Sequence, residues 1–313
     1  MRNSSLKNFC IRICESLYAI HQHLKFLMYT RLLHRLKVMS PEETISYILE
    51  HRCSIARYGD GEFSQMLHKY NIGFQRHDPT LAKMLEDSLT SPTKDLLICI
   101  PGSMRSVRKL NENAKIFWTR WGKQWDHQIR ITKLLRKHCG AQYRYGDALI
   151  TRPYMDLNSK KGVQHTFTLV KQLWKEKDLL IVEGQTTRMG IGNDLFAGAR
   201  SIQRIICPAK DAFDSYTDIY NAVGKYSKGR LVLLALGPTA TVLARALSQK
   251  GIQTLDMGHI DIEYEWYLRS ATKKIPIPGK FTNEFSSKLP ISPCEDPEYS
   301  NQIVYTCHSV NQM

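Results

Sequence analysis

The sequence lacks several patterns that would assign it early to a class of protein. None of its eight cysteines form a Cys-x-x-Cys pair, and some of them, such as Cys99, lie within apolar runs, so a structural zinc site is not indicated. No stretch reaches the about 18 uncharged apolar residues that a membrane-spanning helix needs. Arg12 and Glu15 interrupt the one segment that could imitate a secretory signal. We therefore expect reduced cysteines without disulfides in a cytoplasmic protein.

Acidic residues are scarce relative to basic ones. The chain has 44 Lys and Arg against 29 Asp and Glu, a formal net charge of +15, which favours nucleic acid, anionic membrane or phosphorylated small molecules as partners. Basic residues are not clustered with aromatic stacking residues, and this argues against nucleic acid. With 313 residues and 42% hydrophobic residues, the chain is long and apolar enough to bury a large globular core.

Residues 1–39 differ from the rest of the chain. Seven Lys and Arg and a single Glu occur there, and apolar residues recur at spacings of four and three, which predicts an amphipathic helix. The apolar positions are Leu6, Cys10, Ile13, Leu17, Ile20, Leu24 and Leu27. This helix can pack on the protein's own body, lie on the inner leaflet of an anionic membrane or form a short coiled coil.

The body of the protein begins with a helix start signal. Ser40 at the N-cap, Pro41 at the first helical position and Glu43 three residues after the cap form a capping box. Short runs rich in Ile, Leu and Val then alternate with segments of helical character, which predicts strands buried on both faces of a mainly parallel sheet. The predicted strands are 54–58, 96–100, 149–152, 179–183, 203–207, 230–236 and 253–256. We expect an α/β, Rossmann-like fold with a mainly parallel sheet flanked by helices.

The end of the sequence loses this alternation. Several prolines follow Lys273, and the segment is expected to be extended, either wrapping the body or covering it as a flexible lid. The predicted organisation is a basic helical extension over 1–39, a catalytic domain over 40–285 and a Pro-rich tail over 286–313.

Two carboxylates follow the first predicted strand. Asp60 and Glu62 are separated by one glycine in a flexible turn, and an Asp-x-Glu arrangement can hold a divalent cation that also binds a diphosphate. Arg57 at the strand end can neutralise a phosphate. The alternatives are that one of the two acids caps the following helix and that Arg57 pairs with one of these two acids.

A glycine-rich segment follows the predicted strand 179–183. Glycines at 184, 190 and 192 allow close backbone approach, and Arg188 offers a bidentate phosphate donor. Asn193 or Asp194 can start the next helix, and Glu183 is an acid at the end of an apolar run. The glycine spacing matches neither common nucleotide-binding motif, so a plain turn remains an alternative.

A third turn, after the predicted strand 230–236, carries no charge. Gly237, Pro238 and Thr239 lead into a helix whose first amides and hydroxyls can bind an anion or a nucleoside, or form a simple cap. Arg152, at the end of another predicted strand, can face the same cleft or form a surface ion pair.

Residues 258–266 hold one imidazole and three carboxylates directly after a predicted strand. In an extended segment His259, Asp261, Glu263 and Glu265 share one face, whereas a helix pairs Asp261 with Glu265. These groups suit a general base, or contacts to a metal or ribose. The alternative is a buried network of ion pairs with the chain's many arginines.

Several of these motifs together resemble one protein family. The matching runs are 56–62 (ARYGDGE), 182–184 (VEG) with Arg188 and 192–196 (GNDLF), 236–240 (LGPTA), and 258–266 (GHIDIEYEW). They resemble the bacterial glycosyltransferases of the GT-D type, a family once known as a domain of unknown function. The resemblance covers about residues 40–285 and leaves the N-terminal helix and the tail outside.

The resemblance implies a Rossmann-like glycosyltransferase that uses a nucleotide sugar, expected to be UDP-linked, with a divalent cation, Mn²⁺ or Mg²⁺, at Asp60 and Glu62. The other motif positions and Arg57 are expected to bind the donor or act in catalysis. The expected donor-binding residues are Arg57, Glu183, Arg188, Asn193, Asp194, Gly237 and Thr239. The candidate bases for an inverting transfer are His259, Asp261 and Glu263, with Asp261 first because a carboxylate is already in its basic form at pH 7.

The expected partners are a nucleotide sugar, a glycan, glycoprotein or lipid-linked acceptor, and an anionic membrane contacted through residues 1–39. Two alternatives remain open: another nucleotide- or cofactor-dependent transferase on the same fold, and a non-catalytic membrane-associated binding module. No nucleic-acid partner is expected.

Overall fold

The computed structural model describes residues 36–281 apart from 69, 92, 123–130, 132–133 and 136–142. It also describes residues 13, 14, 17, 20, 21, 284 and 293–307. In this part of the chain, nine strands form one sheet in the order β1-β4-β3-β2-β8-β7-β5-β6-β9, and every neighbouring pair is parallel. The strands are β1 Lys37–Val38, β2 Ser54–Arg57, β3 Leu96–Ile100, β4 Arg144–Asp147, β5 Asp178–Gly184, β6 Ser201–Cys207, β7 Leu231–Ala235, β8 Thr254–Asp256 and β9 Ile303–Thr306. The predicted α/β fold with a mainly parallel sheet is confirmed.

The helices cover both faces of the sheet. They are α1 Pro41–His51, α2 Asp60–His68, α3 Pro79–Thr90, α4 Glu112–Gly122, α5 Val163–Gln172, α6 Tyr216–Tyr226, α7 Pro238–Ser248, α8 Ile260–Leu268 and α9 Pro297–Gln302. α1, α5 and α8 pack in one apolar cluster, and α2, α3, α4, α6 and α7 pack in the other. Two buried faces explain why the strands are continuous apolar runs.

Alternating side chains of the central strands supply both clusters. In β5, Leu180 and Val182 belong to the cluster with α7, whereas Leu179 and Ile181 belong to the cluster with α1. This alternation follows from the two-residue period of a strand. Because all neighbouring strands are parallel, their carboxyl ends lie at the same edge of the sheet, where the polar turns lie.

The start of α1 is as predicted. Ser40 Oγ accepts a hydrogen bond from the Glu43 amide at 3.1 Å, and Glu43 Oε2 accepts one from the Ser40 amide at 2.8 Å. This capping box satisfies two amides that have no partner within the helix.

One predicted strand, 149–152, is wrong. Ala148–Thr151 is a short 3₁₀ helix, and the strand β4 ends just before it. Asp147 causes the change, because its carboxylate accepts hydrogen bonds from the amides of Leu149 and Gly102 and so caps the helical turn. The correction matters for Arg152, which follows a helical turn and not a strand.

The two edge strands were not predicted. Lys37–Val38 pairs with β4, so the end of the predicted N-terminal extension contributes to the sheet. Ile303–Thr306 pairs with β6, so the predicted tail contains a strand as well as α9. Both edge strands are short, and neither has the apolar run by which strands such as β3 and β5 are recognised.

Most of the predicted N-terminal helix lies outside the described residues. Those described on its predicted apolar face, Ile13, Leu17 and Ile20, are helical and 43%, 60% and 57% exposed. Among the described helices, none has the length and apolar character required to cross a bilayer.

Candidate active site

A cleft of about 840 Å³ opens at the carboxyl ends of the strands, where ligands bind in open parallel sheets. It is lined by the turns that follow β2, β5, β7 and β8 and by parts of α4 and the segment after α8. Of the predicted site residues, Arg57, Asp60, Glu62, Gly237 and His259 line it. The others, Glu183, Arg188, Asn193, Asp194, Thr239, Asp261 and Glu263, are not among the lining residues.

The acidic turn after β2 presents both of its carboxylates to the cleft. Asp60 is exposed at the first position of α2, and Glu62 is half-buried. Glu62 Oε2 accepts a hydrogen bond from the Gly59 amide at 2.7 Å, so one of its oxygens has the capping role foreseen as the alternative. Burial raises the pKa of Glu62 to about 7, although the Gly59 amide opposes the shift. Near neutral pH this carboxyl is therefore close to half protonated.

Arg57 is fixed by neighbours from two other segments. Its Nη2 lies 2.8 Å from Asp256 Oδ1, its Nε donates to the Asp256 carbonyl at 2.7 Å, and its Nη1 donates to Thr151 Oγ1 at 2.7 Å. A Cβ on Gly258 would lie 2.7 Å from Arg57 Nη2, so glycine is needed there. The alternative that Arg57 pairs with Asp60 or Glu62 is therefore wrong, because its partner is Asp256.

His259 belongs to a cluster of charged groups in the same cleft. Its Nε2 lies 3.0 and 3.1 Å from the two oxygens of Glu284. Arg152 Nη1 lies 2.9 Å and Lys274 Nζ lies 3.6 Å from Glu284 Oε1. This arrangement joins the turn after β8, the segment after the 3₁₀ helix and the segment after α8.

The protonation states within this cluster are set by burial and by neighbouring charge. Burial and the charge of Arg152 lower the pKa of His259, and Glu284 partly offsets them. Burial alone would raise the pKa of Glu284, but His259, Arg152 and Lys274 hold that pKa well below its usual range. At neutral pH the imidazole is therefore uncharged and the carboxylate ionised.

Asp261 lies in a buried network behind the cleft. It is 1% exposed, and in α8 it is one turn before Glu265, as expected for a helix. Lys280 Nζ lies 2.7 Å from Asp261 Oδ2 and 3.1 Å from Glu265 Oε1, and Asn193 Nδ2 donates to both acids. Asp261 Oδ1 also accepts a hydrogen bond from the Gly190 amide. The carboxylate is thus engaged in holding the 184–193 turn against α8.

Glu263 is also fully buried. Its Oε2 accepts hydrogen bonds from the amides of Tyr154 and Met155 at 2.9 and 2.7 Å, and its Oε1 has no hydrogen-bond partner within the described residues. Burial raises the pKa of Glu263 to about 7. The side chain fixes the segment after Arg152.

Glu183 forms an ion pair inside the fold. Its Oε1 lies 2.6 Å from Arg204 Nη1, and its Oε2 accepts a hydrogen bond from the Met189 amide at 2.7 Å. Arg204 also donates to the Met189 carbonyl and to Gln302 of α9. Glu183 thus connects β5, β6 and α9 and positions the turn without reaching the cleft.

The remaining predicted residues of that turn also contact protein. Arg188 has a φ of 52°, and its Nη1 donates to the Gly279 carbonyl at 2.9 Å. Asp194 is 63% exposed and contacts Lys171 and Tyr264. The turn reaches the cleft through Gly184 and Thr187.

Gly237 presents the N-terminus of α7 to the cleft. Its φ is 55°, and a Cβ at this position would lie 2.1 Å from Phe74 Cε2. Thr239 is fully buried, and its Oγ1 finds no hydrogen-bond partner in the described part of the chain. Pro238 has no N–H and the Ala240 amide donates to the Gly237 carbonyl at 2.9 Å, so this end offers an anion the positive end of the helix dipole.

Several lining residues had no place in the predicted site. Asp256 was the last residue of a predicted strand. Its contact with Arg57 forms because β2 and β8 are neighbours in the sheet, and the sequence does not give the order of the strands. The rest lie in segments without a motif, namely Phe74, Asn113, Phe117, Trp118, Asp156, Lys273, Lys274 and Glu284. Phe117 is 47% exposed on α4, and an exposed aromatic residue on a helix gives no signal that it faces a cleft.

Comparison with known proteins places these features in a family. A family model described as the glycosyltransferase GT-D fold matches residues 55–285, a range that contains every predicted site residue. A solved structure described as the highly conserved domain of unknown function 1792, with a distinct glycosyltransferase fold, is 40% identical, has a TM-score of 0.82 and covers 90% of this chain and 99% of that chain. A second, described as a new glycosyltransferase from Streptococcus sanguinis, is 37% identical, has a TM-score of 0.79 and covers 87% and 100%.

Two curated relatives are also named as glycosyltransferases. Glycosyltransferase GlyD of Streptococcus pneumoniae serotype 4 (strain ATCC BAA-334 / TIGR4) is 38% identical over 270 residues, which are 86% of this chain and 32% of that protein. The probable glycosyl transferase Gly of Streptococcus gordonii is 39% identical over 271 residues, 86% of this chain and 39% of that protein. This chain thus corresponds to less than half of the length of either relative. The resemblance inferred from the motifs is confirmed, and the chain belongs to the family of glycosyltransferases with the GT-D fold.

Proposed function

We propose that this protein transfers a sugar from a UDP-linked donor to a hydroxyl group of a glycan, glycoprotein or lipid-linked acceptor. The observation that carries the proposal is the cleft at the strand ends, in which the Asp60 and Glu62 carboxylates, the Arg57 guanidinium and the His259 imidazole line one space of about 840 Å³. Sugar transfer from a nucleoside diphosphate needs groups that stabilise the leaving diphosphate and a base for the acceptor.

Asp60 and Glu62 are the residues that would hold a divalent cation, Mn²⁺ or Mg²⁺. No group of three or more His, Cys, Asp or Glu suited to a metal ion lies within the described residues. A cation that also binds substrate phosphates needs only one or two protein carboxylates. Asp60 is exposed, and both residues line the cleft, so the pair fits such a cation. When bound, the ion would supply positive charge that stabilises the leaving diphosphate.

The protein's own cationic groups complete this diphosphate site. Arg57 is 17% exposed, and its hydrogen bonds to Asp256 and Thr151 hold the guanidinium at the cleft wall. The N-terminus of α7, at Gly237, adds the positive end of a helix dipole. Because these groups are fixed before the substrate binds, little reorganisation is needed when charge develops on the leaving group.

His259 is the base that we favour for an inverting transfer. It lines the cleft and is neutral at pH 7, so it can accept the acceptor's hydroxyl proton. Asp261 and Glu263 were the other candidates, and we now propose positioning roles for them. Asp261 holds the 184–193 turn through Gly190 and Asn193, and Glu263 holds the backbone after Arg152.

Calorimetric titration of UDP, with and without Mn²⁺, tests the proposed donor site. We expect binding that requires Mn²⁺ and is markedly weaker in Asp60→Asn and Glu62→Gln. The matched controls are Asp87→Asn and Glu86→Gln on the outside of α3, which should bind as the wild type does. Wild-type protein that binds no UDP, or binds it equally well without metal and in Asp60→Asn, would contradict the proposal.

We also propose that residues 1–39 bring the enzyme to an anionic membrane, where lipid-linked acceptors are found. The seven basic residues of this segment and the exposure of Ile13, Leu17 and Ile20 support this. Sedimentation with phosphatidylglycerol vesicles at low salt should retain the full chain and not a chain that begins at residue 36. Equal retention of both would contradict a role for the segment.

A further inference from the structure

Glu284 lies in the cleft, although no motif in the sequence had indicated it. Its carboxylate lies in the cleft within 3.1 Å of His259 Nε2 through both oxygens, and 2.9 Å from Arg152 Nη1. The residue is only 14% exposed in its side chain. It is therefore part of the cleft and faces the group that we favour as the base.

The segment that leads to Glu284 is attached to the donor-side turn. The Phe281 amide donates to the Thr186 carbonyl at 2.9 Å, and the Gly279 carbonyl accepts from Arg188. Lys280 forms the buried ion pairs with α8. These three consecutive residues, Gly279, Lys280 and Phe281, attach the chain to the 184–193 turn and to α8 three residues before Glu284.

The chemistry of the contact determines which imidazole nitrogen carries the proton. An ionised carboxylate can only accept hydrogen bonds, and Glu284 is surrounded by Arg152, Lys274 and the imidazole. A neutral His259 that contacts it through Nε2 must therefore be protonated on Nε2. Its Nδ1 then carries the free lone pair, and Nδ1 has no hydrogen-bond partner among the described residues.

We propose that Glu284 is the positioning residue of His259, holding the imidazole as the Nε2–H tautomer so that Nδ1 is the atom that accepts the proton of the acceptor hydroxyl. In the transfer step the hydroxyl oxygen forms the new bond to the sugar carbon as the bond to the diphosphate breaks. The proton moves to Nδ1, and Glu284 stabilises the imidazolium that results. The catalytic meaning of this dyad rests on the proposed function.

Other charged groups in the cleft act on the same imidazole. Arg57 and Arg152 disfavour the imidazolium, and Glu284 favours it. His259 also precedes the N-terminus of α8, whose dipole disfavours a cation there. The charged residues that line the cleft together with His259 are Arg57, Asp60, Glu62, Arg152, Asp156, Asp256, Lys273, Lys274 and Glu284. Glu284 is the one of these that directly contacts the ring.

NMR of the full chain with ¹⁵N-labelled histidine tests this inference without donor or acceptor. The His259 signals are assigned by their absence in His259→Gln. We expect the wild type at pH 7.5 to have the proton on Nε2, and Glu284→Gln to lower the pKa of His259 by about one unit or more. Glu86→Gln, the same change on an exposed helix, should leave both the tautomer and the pKa unchanged.

Two results would overturn the proposal. One is a wild-type His259 protonated on Nδ1 at neutral pH, a result that needs no variant to fold. The other is a His259 with the same pKa in folded Glu284→Gln as in the wild type, as expected if Glu284 only anchors Arg152. Because neither readout uses turnover, failure to detect sugar transfer would reject the proposed function and leave the dyad standing.

Where transfer is measurable, kinetics give a second test. Glu284→Gln should lower kcat by at least about tenfold, because general base catalysis contributes roughly 10²–10⁴-fold, and KM for the donor should change little. In a plot of kcat against pH, the loss of activity on the acidic side should occur at lower pH in Glu284→Gln than in the wild type. The reason is that the variant lacks the carboxylate that raises the pKa of His259. A lower kcat with this loss at an unchanged pH would overturn the positioning role.

Discussion

Arg57 Nη2 lies 2.8 Å from Asp256 Oδ1, so the last residue of β2 is joined to the last residue of β8. The strands are neighbours in the sheet, yet 199 residues separate the two side chains in sequence. Burial raises the pKa of Asp256, and Arg57 opposes that shift. The pair thus fixes a cation at the cleft and favours the ionised form of a buried acid.

Replacement of Arg57 by Met should destabilise the protein. It leaves Asp256, whose side chain is 4% exposed, as a buried carboxylate without its partner, and such losses cost about 3–5 kcal/mol. The free energy of unfolding from urea titration is the measurement. Asp256→Asn combined with Arg57→Met should cost less than the sum of the single changes. Strict additivity would mean that the pair does not interact.

Loss of Lys280 should have a similar effect behind the cleft. Lys280→Met removes the cation between Asp261 and Glu265, all three of which are buried, and we expect a loss of about 3–5 kcal/mol in unfolding free energy. Lys83→Met removes the cation of an exposed pair on α3 and is the control, with little change expected. Equal stability of the two variants would contradict the account of the Asp261 network.

Glu263 should make stability depend on pH. Its pKa in the folded state is about 7, against 4.5 ordinarily, so between these values the folded state holds a proton that the unfolded state has lost. Stability therefore falls as pH rises from 5 to 8, by on the order of 3 kcal/mol from this group. Glu263→Gln should reduce the fall measured by urea titration, and Glu86→Gln should not. The same fall in wild type and Glu263→Gln would show that Glu263 does not titrate in this range.

Gly237→Ala should disturb the cleft. The new Cβ meets Phe74 at 2.1 Å and must adopt a φ of 55°, and such strain costs about 1–3 kcal/mol. Phe74 also lines the cleft, so UDP affinity should fall as well. Gly224→Ala lies in α6 with no atom within 4 Å and should be neutral or slightly stabilising. A Gly237→Ala protein as stable as Gly224→Ala would contradict the predicted clash.

The proposed cation site should weaken in acid. Because burial raises the pKa of Glu62 to about 7, a proton competes with the cation below that pH. Mn²⁺ affinity in the presence of UDP should rise by about tenfold between pH 6 and pH 8 as Glu62 ionises. Asp60→Asn should weaken binding at every pH, whereas Glu62→Gln should remove the pH dependence. A wild-type affinity that falls as pH rises would contradict this role for Glu62.

Local patterns predicted the strands β2, β3, β5, β6, β7 and β8 but missed β4, and they predicted a turn where Asp60 and Glu62 begin α2. Apolar runs such as β3 and β5 are buried on both faces, and this signal is local. The 3₁₀ helix after β4 was missed because it depends on the Asp147 carboxylate bonding to a distant amide, that of Gly102. The strand β9 was missed because it is short and forms through its pairing with β6, which lies about a hundred residues earlier in the sequence.

The candidate site was harder to predict than the fold. A charged residue at a strand end can face the cleft, as His259 does, or turn into the protein, as Glu183 and Asp261 do. The difference depends on partners such as Arg204 and Lys280, which lie in other segments. Glu284 gave no sequence signal, since its role depends on where the segment after α8 is attached.

The release of UDP from a panel of UDP-sugars tests the central claim most directly. With Mn²⁺ present, the wild type is predicted to release UDP from at least one donor, faster with a hydroxyl-bearing acceptor than with water alone. Asp60→Asn is predicted to lose this activity, and Asp87→Asn is predicted to retain it. If the folded wild type released no UDP from any UDP-sugar, or if Asp60→Asn released it as fast as the wild type, the assignment of sugar transfer to this cleft would be contradicted.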